Sequence, residues 1–236
     1  MTRFLCREDS YQTSNAATVT EITPDGGIVL DATVFYATSG GQPGDSGRLM
    51  AADGRVIAIS TAIHPDGDKT RIVHVPTDSA PGLAPGDRVT AEIDWDRRLK
   101  LMRMHTALHL VTVALPFPVT GGSVAEDKGR LDFNMDTSPD AAALEVTLNS
   151  LVAAGHAVSA EWITDEDMAA NPGLIKSMNV KPPMGQGRVR LIRIGDVDLQ
   201  PCGGTHVRNT AEIGPLRVGK IEKKGSINRR VSIHFV

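Results

Sequence analysis

Apolar residues in the first part of the chain come in short stretches, at 17–22, 27–36, 55–60, 69–75 and 88–93. Between them the sequence turns polar and rich in Gly, Pro and Asp: Pro24-Asp25-Gly26-Gly27, Ala52-Asp53-Gly54, Pro65-Asp66-Gly67 and Pro81-Gly82-Leu83-Ala84-Pro85-Gly86. Glycine supplies positive φ and proline presets the first turn position, so these runs read as chain reversals. Short strands punctuated this way predict a small barrel or sandwich over residues 1–92. The texture then changes. From Asp94 to Leu115 there is neither Gly nor Pro, and DWDRRLKLMRMHTALHLVTVAL is apolar at helical intervals. Asp94 and Asp96 suit the positive end of a helix dipole, and Pro116 and Pro118 end the helix. A second helix is expected over 139–155, with Pro at its start and Gly at its end. The remainder alternates: a strand at 158–164, a short helix at 165–171, then strands at 189–194, 216–222 and 230–236. The predicted fold class is α+β, with a small β-barrel-like domain at 1–92 and an α+β domain at 93–236 that holds the long helix.

Composition narrows the classes. Of 236 residues, 41% are hydrophobic and 22% charged, which is ordinary globular usage and excludes a disordered chain. The longest apolar runs fall far short of the ~20 residues needed to cross a bilayer, so no membrane association is expected. The start, at 1–9, lacks the basic-then-apolar pattern of a leader. Only Cys6 and Cys202 occur, which fits a reducing compartment and a cytoplasmic protein. The net charge of −3 excludes a uniformly basic nucleic-acid binder but leaves room for a local basic patch.

The chemistry begins on the long helix. His105 and His109 are four residues apart, so both imidazoles share one helix face. The metalloprotease pattern HExxH needs Glu after the first His as general base; here that residue is Thr106, and the protease reading fails. Taken alone, such a pair is more often two hydrogen-bonded helix histidines. Some ninety residues on, Pro201-Cys202-Gly203-Gly204-Thr205-His206 offers a second pair at the same spacing, and alone its cysteine would read as a buried thiol in a glycine turn. Together the pairs supply three imidazoles and one thiolate, a tetrahedral set suited to Zn²⁺. His64, His74, His156 and His234 have no partner at ligand spacing, Trp95 and Trp162 read as packing residues, and Cys6 as a bystander.

HxxxH in MHTALHL followed by CxxxH in CGGTH resembles the editing domain of alanyl-tRNA synthetases. It is closer still to the free-standing AlaX proteins, and the resemblance runs along nearly the whole chain. FYATSGGQPGDSG (35–47) is similar to the family's glycine-rich motif, LDFN (131–134) falls where the family has an Asp-Phe pair on a strand, and QPCGGTHVRNTAEIG (200–214) is similar to AlaX. Threonyl-tRNA synthetase editing domains share the metal pairs, but the GGQP loop and the CGGTH context point to the alanyl branch. VTGGS (119–123) departs from the pattern, since synthetase editing domains often carry Gln before the Gly-Ser.

The resemblance implies a medium-length two-domain hydrolase that cleaves the ester joining a wrong amino acid to the 3′ end of alanine tRNA. The expected substrates are Ser-tRNA(Ala) and also Gly-tRNA(Ala), with misacylated tRNA as partner and no ATP chemistry. Thr38 and Ser39 are then candidates to face the amino-acid side chain, with Gln42 a weaker third; the alternative is that the segment is only a tight loop. Gly40 and Gly41 would let backbone approach the terminal adenosine. Lys223, Lys224, Arg229 and Arg230, in the basic stretch 217–230, are the candidate phosphate contacts, with Arg97, Arg98, Lys100 and Arg103 near the metal helix. Four protein ligands would close the zinc shell, so either one of them, Cys202 by preference, stands off or the coordination expands. Two rival readings remain: a tRNA-binding protein with a purely structural zinc, and a deacylase of another misacylated tRNA, such as a threonine tRNA.

Overall fold

The structure is a computed structural model and describes residues 2–78, 82–179 and 187–236. The expected turn at 81–86 begins at Pro81, outside the described residues. By contact density the chain divides into two compact units, Met1–Leu99 and Lys100–Val236.

In the first unit six antiparallel strands close into a barrel. Around it run Ser14–Ile22, Ile28–Leu30, Val73–Pro76, Val56–Ile63, Gly47–Ala51 and Arg88–Ile93, and the last pairs with the first again. Alternation along each strand sends one set of side chains inward, and Val19, Leu30, Leu49, Ile59, Val89 and Ala91 fill the interior with Phe35. The strand Gly47–Ala51 is absent from the sequence reading, because its Gly start and the Ala51-Ala52-Asp53-Gly54 end look like loop. The expected strand at 27–36 breaks at Asp31, whose Oδ1 accepts the N–H groups of Thr18 and Ala32, both at 2.8 Å. Beyond the break lies a separate two-residue strand, Ala32–Thr33, paired in parallel with Arg3–Phe4. The barrel is closed because a closed sheet leaves no unpaired edge.

The long helix, Trp95–Ala114, starts where Asp94 Oδ1 accepts the Arg97 N–H at 3.1 Å. Its Met104–Thr112 portion is buried without interruption. A helix that is buried all round needs apolar or satisfied residues all round, which Met104, Ala107, Leu108, Leu110 and Val111 supply.

The second unit carries two antiparallel sheets. One orders Leu216–Val218, Asn228–Phe235, Lys128–Asn134 and Val119–Val124, with Glu222–Lys223 also paired to Asn228–Phe235; the other orders Val158–Thr164, Arg188–Ile194 and Asp198–Pro201. The helix Ala141–Ala153 has Asp140 as its cap, accepting the Ala143 N–H at 2.8 Å, and buries Leu144, Leu148 and Val152 along one stripe. The short helix Asp165–Ala170 opens on a reciprocal Thr164–Asp167 capping box. Two strands here have no counterpart in the sequence reading, Val119–Val124 and Asp198–Pro201, and Lys128–Asn134 has one only through the family resemblance at 131–134. Val119–Val124 carries two glycines, and Asp198–Pro201 is only 4 residues long and ends in Pro, so β-propensity stands out in neither.

Candidate metal centre

The geometry starts with helix periodicity. One turn separates His105 from His109, and their ring centroids lie 5.3 Å apart. Opposite them the Cys202–His206 turn brings the His206 ring to 4.4 Å from His105 and 4.6 Å from His109. Cys202 Sγ lies 3.3 Å from His206 Nε2 and 3.6 Å from His105 Nε2. One ligand atom from each of the four residues falls within 4.8 Å of the others. The thiol expected to stand off is thus grouped with the imidazoles.

The turn holding Cys202 and His206 is pinned by a residue that sequence reasoning missed. Arg190, on Arg188–Ile194, is 7% exposed and donates from one guanidinium nitrogen to the carbonyls of Cys202 at 3.0 Å and Gly204 at 2.8 Å. Its own carbonyl accepts the Cys202 N–H at 3.1 Å. A planar fork can bridge two carbonyls of a glycine turn that lacks side-chain packing of its own.

Hydrogen bonds behind the rings determine which nitrogen faces the cluster. Thr106 Oγ1 gives its single hydrogen to the Met102 carbonyl at 2.9 Å, so toward His206 Nδ1, at 3.1 Å, it can only accept. His206 therefore carries its proton on Nδ1 and turns a bare Nε2 to the cluster. Thr106, where a protease would have its general base, instead supports the His206 ring. His109 Nδ1 lies 3.3 Å from Asp198 Oδ2 and is held in the same sense by a carboxylate.

The electrostatics are those of mutually dependent groups. Burial pushes the Cys202 thiol up, but the His105 and His206 imidazoles outweigh it and hold it well below its usual range. Burial, with His105 beside it, lowers His206 to about 3. For His109 burial acts downward, yet Asp198 and Cys202 raise it to about 9. A thiolate beside a neutral His206 with a bare Nε2 is a state that receives a cation, and His109 would release its second proton as the cation binds. Two separations, Cys202 Sγ to His206 Nε2 and to His105 Nε2, match the edges of about 3.3–3.6 Å of a tetrahedral shell with Zn–N of ~2.0–2.1 Å and Zn–S of ~2.3 Å.

The other sequence candidates lie elsewhere in the chain. In the first unit Ser39 and Gln42 exchange backbone hydrogen bonds at 3.1 and 2.9 Å across Gly40 and Gly41. Both glycines have positive φ, at 58° and 82°, as a type I′ hairpin turn requires. Thr38 is exposed; its hydroxyl accepts the Gly44 N–H at 2.8 Å and donates to the Ala62 carbonyl at 3.3 Å. Ser39 Oγ accepts from Lys69 Nζ at 3.4 Å, and Gln42 is fully buried.

In the second unit Lys223 is exposed, and Lys224 pairs with Glu222 at 2.7 Å. Arg230 donates to both oxygens of Asp132, at 2.7 and 2.9 Å. Arg229 departs from its expected role as a phosphate contact. It is 4% exposed, and its guanidinium is spent on the carbonyls of Gly225, Ser226, Asn228 and Asp136, so it organises the loop from beneath. Arg98 departs likewise, being fully buried against Asp45. Arg103 binds the Ile213 carbonyl and stacks on Phe235. Among the described residues no helix is long and apolar enough to cross a membrane.

Comparison with known proteins agrees with this geometry. The family described as threonyl and alanyl tRNA synthetase second additional domain matches residues 189–232, the segment carrying Arg190, Cys202 and His206. The class II (A) tRNA synthetase family matches residues 7–97. The alanyl-tRNA editing protein AlaX-M of Methanosarcina acetivorans is 34% identical across 98% of both chains, and the AlaX-M of Saccharolobus solfataricus is 31% identical over the same shares. An alanine–tRNA ligase of Pyrobaculum aerophilum is 33% identical over 94% of this chain but only 25% of the ligase. End-to-end identity with the free-standing proteins, against a quarter of the ligase, makes this chain a member of the AlaX-M family of alanyl-tRNA editing proteins.

Proposed function

We propose that this protein removes serine, and also glycine, from wrongly charged alanine tRNA by hydrolysing the aminoacyl ester at the tRNA 3′ end, in a zinc site formed by His105, His109, Cys202 and His206. The observation that carries the reading is the four-residue cluster, its three histidines buried and Cys202 partly so, in a member of a deacylase family. Bound zinc would supply a Lewis acid beside the ester, provided that one of the four ligands releases it or its coordination expands. The protein's own residues do the rest. Thr106 and Asp198 hold two imidazoles by Nδ1, and Arg190 holds the turn that carries the thiol and the third ring.

Discrimination comes from small energies. A pocket for alanine gains or loses only ~1–3 kcal/mol per methyl group, so glycine and serine slip through a first selection. A second site with polar groups built for the serine hydroxyl penalises alanine, which would leave them unpaired. Thr38 and Ser39 are assigned to that contact. With one donated and one accepted bond in place, Thr38 Oγ1 keeps one lone pair to accept a serine hydroxyl. Gln42, buried, is assigned to hold the loop from within. Gly40 and Gly41 are exposed and leave room for the terminal adenosine beside backbone. Lys223 and Lys224, with Arg230 at the edge, are assigned to phosphates near the acceptor end.

The test is deacylation of Ser-tRNA(Ala) beside Ala-tRNA(Ala) by native protein, chelated protein and His105→Ala. Loss of serine alone, abolished by both treatments, is the expected outcome. Serine release at the uncatalysed rate by folded, metal-loaded protein would overturn the reading. Continued binding of tRNA would then favour a binder with a structural metal, and release from a charged threonine tRNA would favour a different substrate.

A further inference from the structure

The helix face that bears His105 and His109 continues one turn further to Thr112, and beside it the second unit buries a charge. Asp198 has a completely enclosed side chain. An isolated buried carboxylate is costly to keep ionised, so the donors around it must account for it. Three converge: His109 Nδ1 at 3.3 Å and Gln200 Nε2 at 2.7 Å on Oδ2, and Lys176 Nζ on Oδ1. Thr112 Oγ1 accepts from Lys176 at 3.2 Å and Gln200 at 3.1 Å, and donates to the His109 carbonyl at 2.8 Å. The network therefore closes back onto the helix turn that presents His109.

Strand alternation explains the placement. Asp198 and Gln200 are two apart on Asp198–Pro201, so they share one face, and Cys202 continues the same parity. Leu199, between them, turns to the opposite face and packs with Met168, Val189 and Leu191. One strand thus aims a carboxylate and an amide at one helix face, with the thiol just past its end, while its apolar residue anchors it from behind.

We propose that Asp198 is a positioning residue for the metal centre, holding His109 by Nδ1–H so that Nε2 faces the cluster, with Lys176 pinning the other carboxylate oxygen. The proposal rests on reading the four-residue cluster as a metal site. A carboxylate behind an imidazole fixes the tautomer, restrains ring rotation and makes the ligand nitrogen a better electron donor than a hydroxyl does. His109 has this stronger support; His206 has only the Thr106 hydroxyl. Lys176 balances the buried charge and fixes Oδ1, which keeps Oδ2 in place for His109 and Gln200.

The experiment is zinc affinity by competition with a chromophoric chelator, for the full chain and for Asp198→Asn, Lys176→Met and His109→Ala. Melting temperatures with and without zinc, and the visible spectrum of the Co²⁺-substituted forms, are recorded alongside. Asp198→Asn is expected to bind zinc about 10–100-fold more weakly, with altered Co²⁺ bands and a metal-free melting temperature near that of the native chain. Lys176→Met should lose affinity in the same direction by less, and stands in if Asp198→Asn does not fold. Native zinc affinity in both variants would overturn the proposal. So would a lower metal-free melting temperature with an unchanged zinc-induced rise, the mark of a purely structural role. Failure of the metal reading itself is separate: the native chain would then bind no zinc, and His109→Ala would change nothing.

Discussion

His74 shows how completely a single polar residue can be absorbed by the barrel. Its ring is fully buried, with Nδ1 2.9 Å from the Ile28 carbonyl and Nε2 2.8 Å from Thr33 Oγ1. The carbonyl can only accept, so Nδ1 carries the proton and Nε2 accepts from the threonine; the ring is neutral and has both nitrogens satisfied. Burial, partly offset by the Ile28 carbonyl, lowers its pKa from 6.5 to about 4. The unfolded chain therefore binds a proton at higher pH than the folded one. The stability this contributes is full above about pH 6.5 and is lost as pH falls toward 4, to a limit of roughly 3 kcal/mol. Urea unfolding of the native chain and of His74→Gln between pH 7 and 4 should show the native chain losing more stability across that window. Equal slopes would show that His74 does not titrate as its burial implies. In sequence this residue was one of four unpartnered histidines, because neither Thr33 nor Ile28 is its neighbour until the barrel closes.

At the scale of elements, the start of the long helix is held by charge as well as by its cap. Arg98 lies within the first unit, completely enclosed, and forks onto both oxygens of Asp45, with further bonds to the carbonyls of Val34 at 2.8 Å and Ser10 at 3.0 Å. Asp45 also accepts the Tyr36 N–H at 2.6 Å, so one ion pair ties the first helical turn to the glycine-rich loop. Removing one partner of a buried pair strands the other, and Arg98→Ala is expected to lower stability by about 3–5 kcal/mol. A urea midpoint near the native one would mean that water reaches Asp45. Gly44, in the same loop, approaches so closely that any side chain there would run into the Ala62 carbonyl, a requirement that GGQPGDSG does not announce. The strands at 119–124 and 128–134 belong to this scale too: pairing with Asn228–Phe235 makes Lys128–Asn134 a central strand despite its charges.

For the molecule as a whole, the net charge of −3 makes any tRNA affinity a matter of local charge. Lys223 is exposed, whereas Arg229 is buried beneath the same loop. Under the proposed function, Lys223→Ala should weaken tRNA binding and reduce the slope of log affinity against log salt by about 1. Arg229→Ala should act through the loop instead, lowering stability more than it changes that slope. Filter binding across a salt series with both variants separates the two roles, and an unchanged slope in Lys223→Ala would remove it from the interface.

The sequence by itself determined what depends on local spacing: the long helix with its Asp94 start, two histidines on one of its faces, a second pair in a glycine turn, and the short-strand texture of the first unit. The candidate cluster of His105, His109, Cys202 and His206 was legible because i,i+4 spacing and donor chemistry are local properties. Tertiary structure alone decided which basic residues remain at the surface and which polar groups support the ligands. Arg190 reaches Gly204 across 14 residues, Lys176 reaches Asp198 across 22, and His109 reaches Asp198 across 89. Nothing in the chain marks such residues as partners until strand pairing brings them together, and a buried arginine reads in sequence like a solvated one.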